Sequence, residues 1–214
     1  LTKYATMIVD PKQIAYEIDK ALYLAQTGRK GPVWIDVPID IQNMRIEPNE
    51  LERFKIEEDL DFSPNKEDIE VVIKALQSAK RPILLIGNGV RAADAIDQLE
   101  KFVDKYSIPV VYDNSAVDIY GANNELSIGA IGSIGGTRAG NFAVQNADFL
   151  LVLGCSLSPV TTGPDYENFA RQAKVVVVDI DGIEHSKNTI RIDRLIISNV
   201  KKFLDALIED DIQR

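Results

Sequence analysis

Three glycine-rich junctions carry the residue types from which this sequence could build a ligand site. Gly87-Asn88-Gly89-Val90-Arg91-Ala92 follows an apolar run and fits the G-x-G-x-x-G/A spacing, whose glycines let backbone amides and a helix N-terminus approach a pyrophosphate. A tight strand-to-helix turn needs glycine for steric reasons even when nothing binds, so nucleotide contact and a bare turn stand level here. Asp113, after the next apolar run, is the candidate acceptor for ribose hydroxyls. The second junction, Gly129 to Gly140, holds five glycines in twelve positions and few charges; Ile131 and Ile134 within it argue for a packed segment rather than a flexible connector. The third is Gly154-Cys155-Ser156, followed after a further run by Asp179-Ile180-Asp181-Gly182. Carboxylates there can accept ribose hydroxyls or cap the following turn, and capping is the favoured role.

Other chemistry is sparse. The one cysteine, Cys155, adjoins an apolar run with no activating base near it in sequence, which predicts a buried, inert thiol. The one histidine, His185, lies in the polar segment Glu184-His185-Ser186-Lys187-Asn188 and is expected to be a solvated helix residue. Glu57-Glu58 and Asp210-Asp211 belong to charge runs that look like solvated surface. The sequence holds no Ser/His/Asp set, no P-loop and no metal-ligand spacing. With 24 Lys and Arg against 33 Asp and Glu, the net charge is −9 and no basic stripe exists, which argues against nucleic-acid and anionic-membrane partners. A single cysteine permits no intramolecular disulfide and suits a reducing cytoplasm. The longest apolar runs fall well short of the roughly 20 residues of a membrane helix. The sequence opens on Leu1, without a methionine or a signal-peptide pattern, and is expected to be a piece of a longer protein.

The elements that would position these groups follow from periodicity. The 214 residues correspond to about one and a half typical domains. Asp10-Pro11 predicts a capped helix start with Ile14, Ile18, Ala21, Leu22 and Ala25 on one face, ending near Gly28; Val33 to Val37 then reads as a strand. Residues 43–65 are polar and acidic without lasting periodicity and read as a linker. From Lys66 onward helices alternate with continuous Val/Ile/Leu runs. An amphipathic helix carries Ile69 to Leu76, and a second runs through Ala92, Ala95, Ile96, Leu99 and Val103. Helices around Asn141 to Asn146 and from Val200 to Leu207 complete the set. The runs are Ile83 to Gly87, Pro109 to Tyr112, Phe149 to Gly154 and Val175 to Ile180, with a brief one near Leu195 to Ile197. Such runs are strands buried on both faces, so the fold class is α/β with a doubly wound parallel sheet.

Against this background Gly28-Arg29-Lys30-Gly31-Pro32-Val33-Trp34-Ile35-Asp36-Val37-Pro38-Ile39-Asp40-Ile41-Gln42 resembles the end of the pyrimidine-binding domain of thiamine-diphosphate enzymes of the acetolactate synthase type. Arg81-Pro82, Gly87-Asn88-Gly89-Val90, Gly129 to Gly132, Ala139 to Asp148, Gly154 and Asp179-Ile180-Asp181 are similar to that family's Rossmann-like central domain. The resemblance divides the chain into 1–42, the C-terminal end of a pyrimidine-binding domain; 43–65, a linker; and 66–214, a central domain.

The resemblance implies a cytoplasmic, homo-oligomeric parent that decarboxylates a 2-keto acid and joins the remaining fragment to a second carbonyl compound, using thiamine diphosphate and magnesium. The family's catalytic glutamate and its Gly-Asp-Gly magnesium element have no counterpart in this sequence, so no catalytic residue is assigned and this piece alone is expected to be inactive. In flavin-containing members the central domain holds FAD in a structural role. The matching positions here are Gly87, Gly89, Gly135, Gly136, Thr137, Gly154, Ser156, Asp179 and Asp181, which makes an FAD or ADP pocket one expectation. Where acetolactate synthases carry Gly-Ala-Arg-Phe-Asp-Asp-Arg, this chain has Gly154-Cys155-Ser156-Leu157-Ser158-Pro159-Val160 and lacks both arginines. The Gly-Thr-Arg-Ala-Gly-Asn form of the glycine loop is closer to acetolactate-synthase-like proteins of surface-sugar biosynthesis. Two rivals stay open: an NAD-binding oxidoreductase domain, motivated by Gly87-x-Gly89 and Asp113, and a ligand-free assembly domain, motivated by the missing arginines.

Overall fold

The computed structural model describes residues 2–56, 60–187 and 189–209; Asn188 and the charge runs at Glu57-Glu58 and Asp210-Asp211 lie outside them. The chain divides into two compact units, 1–61 and 62–214. In the first, Tyr4–Met7 (β1) pairs parallel to Val33–Asp36 (β2), in the register Tyr4 to Val33 through Met7 to Asp36. The expectation had the first element begin only at Asp10, because a four-residue edge strand with one half-buried face leaves little periodic signal. Asp10 caps a 3-10 turn at Pro11–Gln13 by accepting from the Lys12 amide, and Ile14–Gln26 (α1) follows. Of the predicted helix face, Ala21 is buried, but Ile18 and Leu22 are 41% and 54% exposed, since two strands cover only a narrow stripe. Ile39–Gln42 forms one further helical turn (α2). The predicted linker is partly fastened down: the Arg53 guanidinium grips Asp19 through Nε and Nη2 at 2.7 and 2.8 Å, and the Phe54 ring meets Tyr16 and Tyr23 at 5.5 and 5.6 Å.

The second unit begins with Lys66–Ser78 (α3), capped by the Asn65 side chain on the Asp68 amide. Pro82–Ile86 (β3), Gly89–Ala92 (α4), Ile96–Tyr106 (α5), Val110–Tyr112 (β4) and Ser127–Ala130 (β5) follow. Arg138–Asn146 (α6), Phe149–Leu153 (β6), Pro159–Thr162 (α7), Lys174–Asp179 (β7), Arg194–Ile197 (β8) and Val200–Glu209 (α8) complete it. The six strands form one parallel sheet in the order β5-β4-β3-β6-β7-β8. Counted from the unit's first strand this is 3-2-1-4-5-6, the order of a doubly wound dinucleotide-binding sheet, whose switch point falls between β3 and β6.

Strand alternation sends successive residues to opposite faces, which explains why the central strands are apolar throughout. Leu84, Ile86, Leu151, Leu153, Val176 and Val178 join one core cluster with α3, α5 and α8. Ile83, Leu85, Leu150, Val152, Val175 and Val177 join the other, beneath α6. Two predictions need correction. The single helix expected through Ala92 and Val103 is broken at Asp94, which takes φ 54°. There the Ala95 amide donates to Val90 O and the Asp94 amide to Arg91 O, a left-handed helix stop followed by a new start. The glycine run also begins as a strand: Gly129 sits inside β5, opposite Val111, at a register shift on the sheet edge.

Candidate functional site at the strand ends

Gly87 and Gly154 directly follow β3 and β6, so they occupy the switch point where ligands lie in open parallel sheets. Here the two backbones close on each other. The Gly87 amide donates to Leu153 O at 3.0 Å and the Gly89 amide to Gly154 O at 2.8 Å. A Cβ on Gly89 would stand 2.5 Å from the Gly154 Cα, and one on Gly154, itself at φ 55°, 2.5 Å from the Gly89 Cα. Both glycines are therefore required by mutual backbone approach. The helix they open, α4, has four residues, too few for a developed terminal dipole.

Asp113, just beyond β4, is 8% exposed. Its Oδ1 accepts from the Ser115 amide at 2.8 Å and the Ser115 hydroxyl at 2.6 Å, and its Oδ2 from the Cys155 thiol at 3.3 Å. The ribose acceptor expected at this position is thus committed to its own turn and to the thiol. Cys155 is buried, as its setting in the sequence predicts; burial, reinforced by the Asp113 carboxylate, pushes the thiol well above its ordinary pKa.

The glycine loop is tied to two neighbours. Asn141 brackets Gly132, accepting from its amide at 2.9 Å and donating to its carbonyl at 3.0 Å, and Asn114 Nδ2 donates to Ile134 O at 2.6 Å. Across the face, the Ser133 amide donates to Val160 O at 2.9 Å, which joins this loop to the one after β6. Gly135 packs on the Asn114 side chain and Gly136 on the Gly132 backbone. Thr137 caps α6: its hydroxyl accepts from the Gly140 amide at 3.0 Å and donates to Ala130 O at 3.1 Å. The sequence assigns no site role to Asn114, Asn141 or Val160; for Asn141 its place four residues beyond the helix cap is the available signal.

Beyond β7, Asp179 Oδ1 accepts from the Asp181 amide at 3.0 Å, and Asp181 Oδ1 from the amides of Ile183 and Glu184 at 3.1 and 3.2 Å, the capping role favoured from sequence. His185 departs from expectation. Its side chain is 1% exposed, not solvated, and Nε2 meets Asp179 Oδ2 at 3.1 Å. The short 3-10 turn Glu184–Ser186 folds the ring back beneath the loop, a closure that the polar composition of the segment did not reveal. Ser156 O receives Lys187 Nζ at 3.4 Å, linking the β6 and β7 loops. The structure thus gathers the predicted positions at one end of the sheet; Gly89 bonds to Gly154 and Asp181 to Asp179, and the others bond to or pack on neighbouring residues. Among the described residues no His, Cys, Asp and Glu group could hold a metal ion, and no helix is long and apolar enough to cross a membrane.

Residues 69–207, from the first turn of α3 almost to the end of α8, match the family described as thiamine pyrophosphate enzyme, central domain. The chain is 33% identical to the probable acetolactate synthase large subunit of Methanococcus aeolicus over 99% of its own length and 37% of that protein's. It is 32% identical to the acetolactate synthase large subunit of Corynebacterium glutamicum, over 98% and 33% of the two chains. The chloroplastic acetolactate synthase of Arabidopsis thaliana is 33% identical over 88% and 28%. The chain spans about a third of the length of these relatives. With the switch-point sheet that this match covers, the chain belongs to the thiamine pyrophosphate enzyme family through its central domain.

Proposed function

We propose that this chain is the scaffold portion of an acetolactate-synthase-like enzyme that decarboxylates a 2-keto acid and transfers the remaining fragment to a second carbonyl compound. The observation that carries it is the likeness to acetolactate synthase large subunits along nearly the whole chain, joined to a sheet of the matching order. In the intact enzyme thiamine diphosphate, held with magnesium, supplies the carbanion chemistry; no residue described above is assigned to it. The contribution of this chain is positional. Its sheet is buried on both faces and its strand-end loops are bonded across, which favours a rigid spacer between chemically active domains.

The parent is expected to be a cytoplasmic homo-oligomer, and light scattering of the intact protein tests the assembly. The oxidoreductase alternative is weakened at both its motives, because Asp113 is committed to Ser115 and Cys155 and the Gly87 and Gly89 amides bond to Leu153 and Gly154. Expression of the intact protein beside this chain tests the proposal: carbon dioxide release from pyruvate by the first and none by the second is expected. Equal release by this chain alone overturns the scaffold role.

A further inference from the structure

The position at which flavin-containing relatives of this family would hold the nucleotide is the strand-end face, and the residues present there do not fit a dinucleotide. Such a ligand needs backbone amides for its diphosphate and a carboxylate for its ribose. The amides of Gly87 and Gly89 are spent on Leu153 and Gly154. Each oxygen of Asp113 and Asp179 already accepts from a protein donor, and the Asp179 Oδ2 partner is the His185 ring, so a ribose would have to share or displace an existing bond. The loop after β6 carries no arginine between 154 and 160, and Val160 O lies bonded to the Ser133 amide across the path between the β5 and β6 loops.

We infer that this central domain has closed its nucleotide position on itself and that the intact enzyme works without bound flavin. His185 is the decisive element: its buried ring pairs with Asp179, the carboxylate that a ribose would otherwise meet. The turn at Ser133 to Gly135 is exposed, and it is too short to replace the switch-point contacts.

The inference rests on the thiamine-enzyme reading only for where a flavin would lie, so its test is kept apart from catalysis. The intact protein is produced in riboflavin-supplemented cells, checked for folding by circular dichroism and desalted. Its visible spectrum and the flavin released on denaturation are then measured. A second sample is incubated with excess FAD or ADP and its melting temperature recorded. No flavin band, no released flavin and an unchanged melting temperature are expected. In a protein about three times the length of this chain, a nucleotide present at a hundred times its Kd would raise the melting temperature by about 2 °C. Either stoichiometric flavin or a rise of that size with FAD or ADP overturns the inference, and leaves the carbon dioxide assay to judge the thiamine reading separately.

Discussion

Replacing Gly154 by alanine tests the backbone contact at the switch point, and its cost can be worked from two terms. Gly154 takes φ 55°, where an L-residue loses about 1–2 kcal/mol relative to glycine. The added Cβ also lies 2.5 Å from the Gly89 Cα and 2.9 Å from the Val90 nitrogen, both backbone atoms, so β3 and β6 must part slightly at their ends. Overpacking of that kind costs a further 1–3 kcal/mol or so. Gly154→Ala is therefore expected to lose about 2–5 kcal/mol, a fall in Tm of roughly 7–14 °C around the middle of that range. Gly121→Ala is the control: its φ is 69° but the nearest atom to its Cβ is the Asn124 amide nitrogen at 3.8 Å, so only the first term applies. Urea unfolding of this chain, followed by far-ultraviolet circular dichroism with unchanged m, measures both. Equal losses for the two variants refute the contact argument, because they leave nothing for the meeting of Gly89 with Gly154.

Further predictions concern the loops. His185→Ala leaves Asp179 Oδ2 short of its donor and should cost about 1–3 kcal/mol by urea unfolding, whereas a solvated histidine would lose almost nothing. Cys155 should resist a thiol reagent at pH 8 in the native protein and react fully in urea; rapid native labelling contradicts its burial and raised pKa. For Asp148, burial alone would raise the carboxyl pKa, but the amides of Lys80 and Arg81 and the Arg81 charge outweigh it and hold the pKa low. Because the folded value lies below the unfolded one, the carboxylate stabilises the fold above about pH 4, and its contribution fades as pH falls through the folded value. The stability gap between wild type and Asp148→Asn should thus be constant near neutrality and close in acid; a gap that widens in acid reverses the assignment.

Much of the sheet is legible in the residues because burial on both faces leaves continuous apolar runs, and β3, β6 and β7 carry them. β5 is not, because Ser127-Ile128-Gly129-Ala130 is short, lies on the edge and contains a glycine that sequence alone assigns to a loop. The helix break at Asp94 is equally hidden, since its left-handed turn uses an aspartate where glycine would have announced it. The candidate site divides in the same way. Glycine spacing points to the switch point, but the same spacing serves a pyrophosphate or a facing backbone, and the approach of Gly154 to Gly89 is visible only in the fold. The burial of His185 depends on a turn that returns the ring to a carboxylate six residues earlier, a tertiary fact without a periodic trace.

The central claim, a scaffold domain within a flavin-free thiamine enzyme, meets its most direct test in one reconstitution. Intact protein freed of small molecules is assayed for carbon dioxide release from pyruvate with magnesium, adding thiamine diphosphate, FAD or NAD singly and in pairs. Release that appears with thiamine diphosphate alone and is unchanged by FAD is the predicted result. Release that requires FAD, or that proceeds without thiamine diphosphate, contradicts the account.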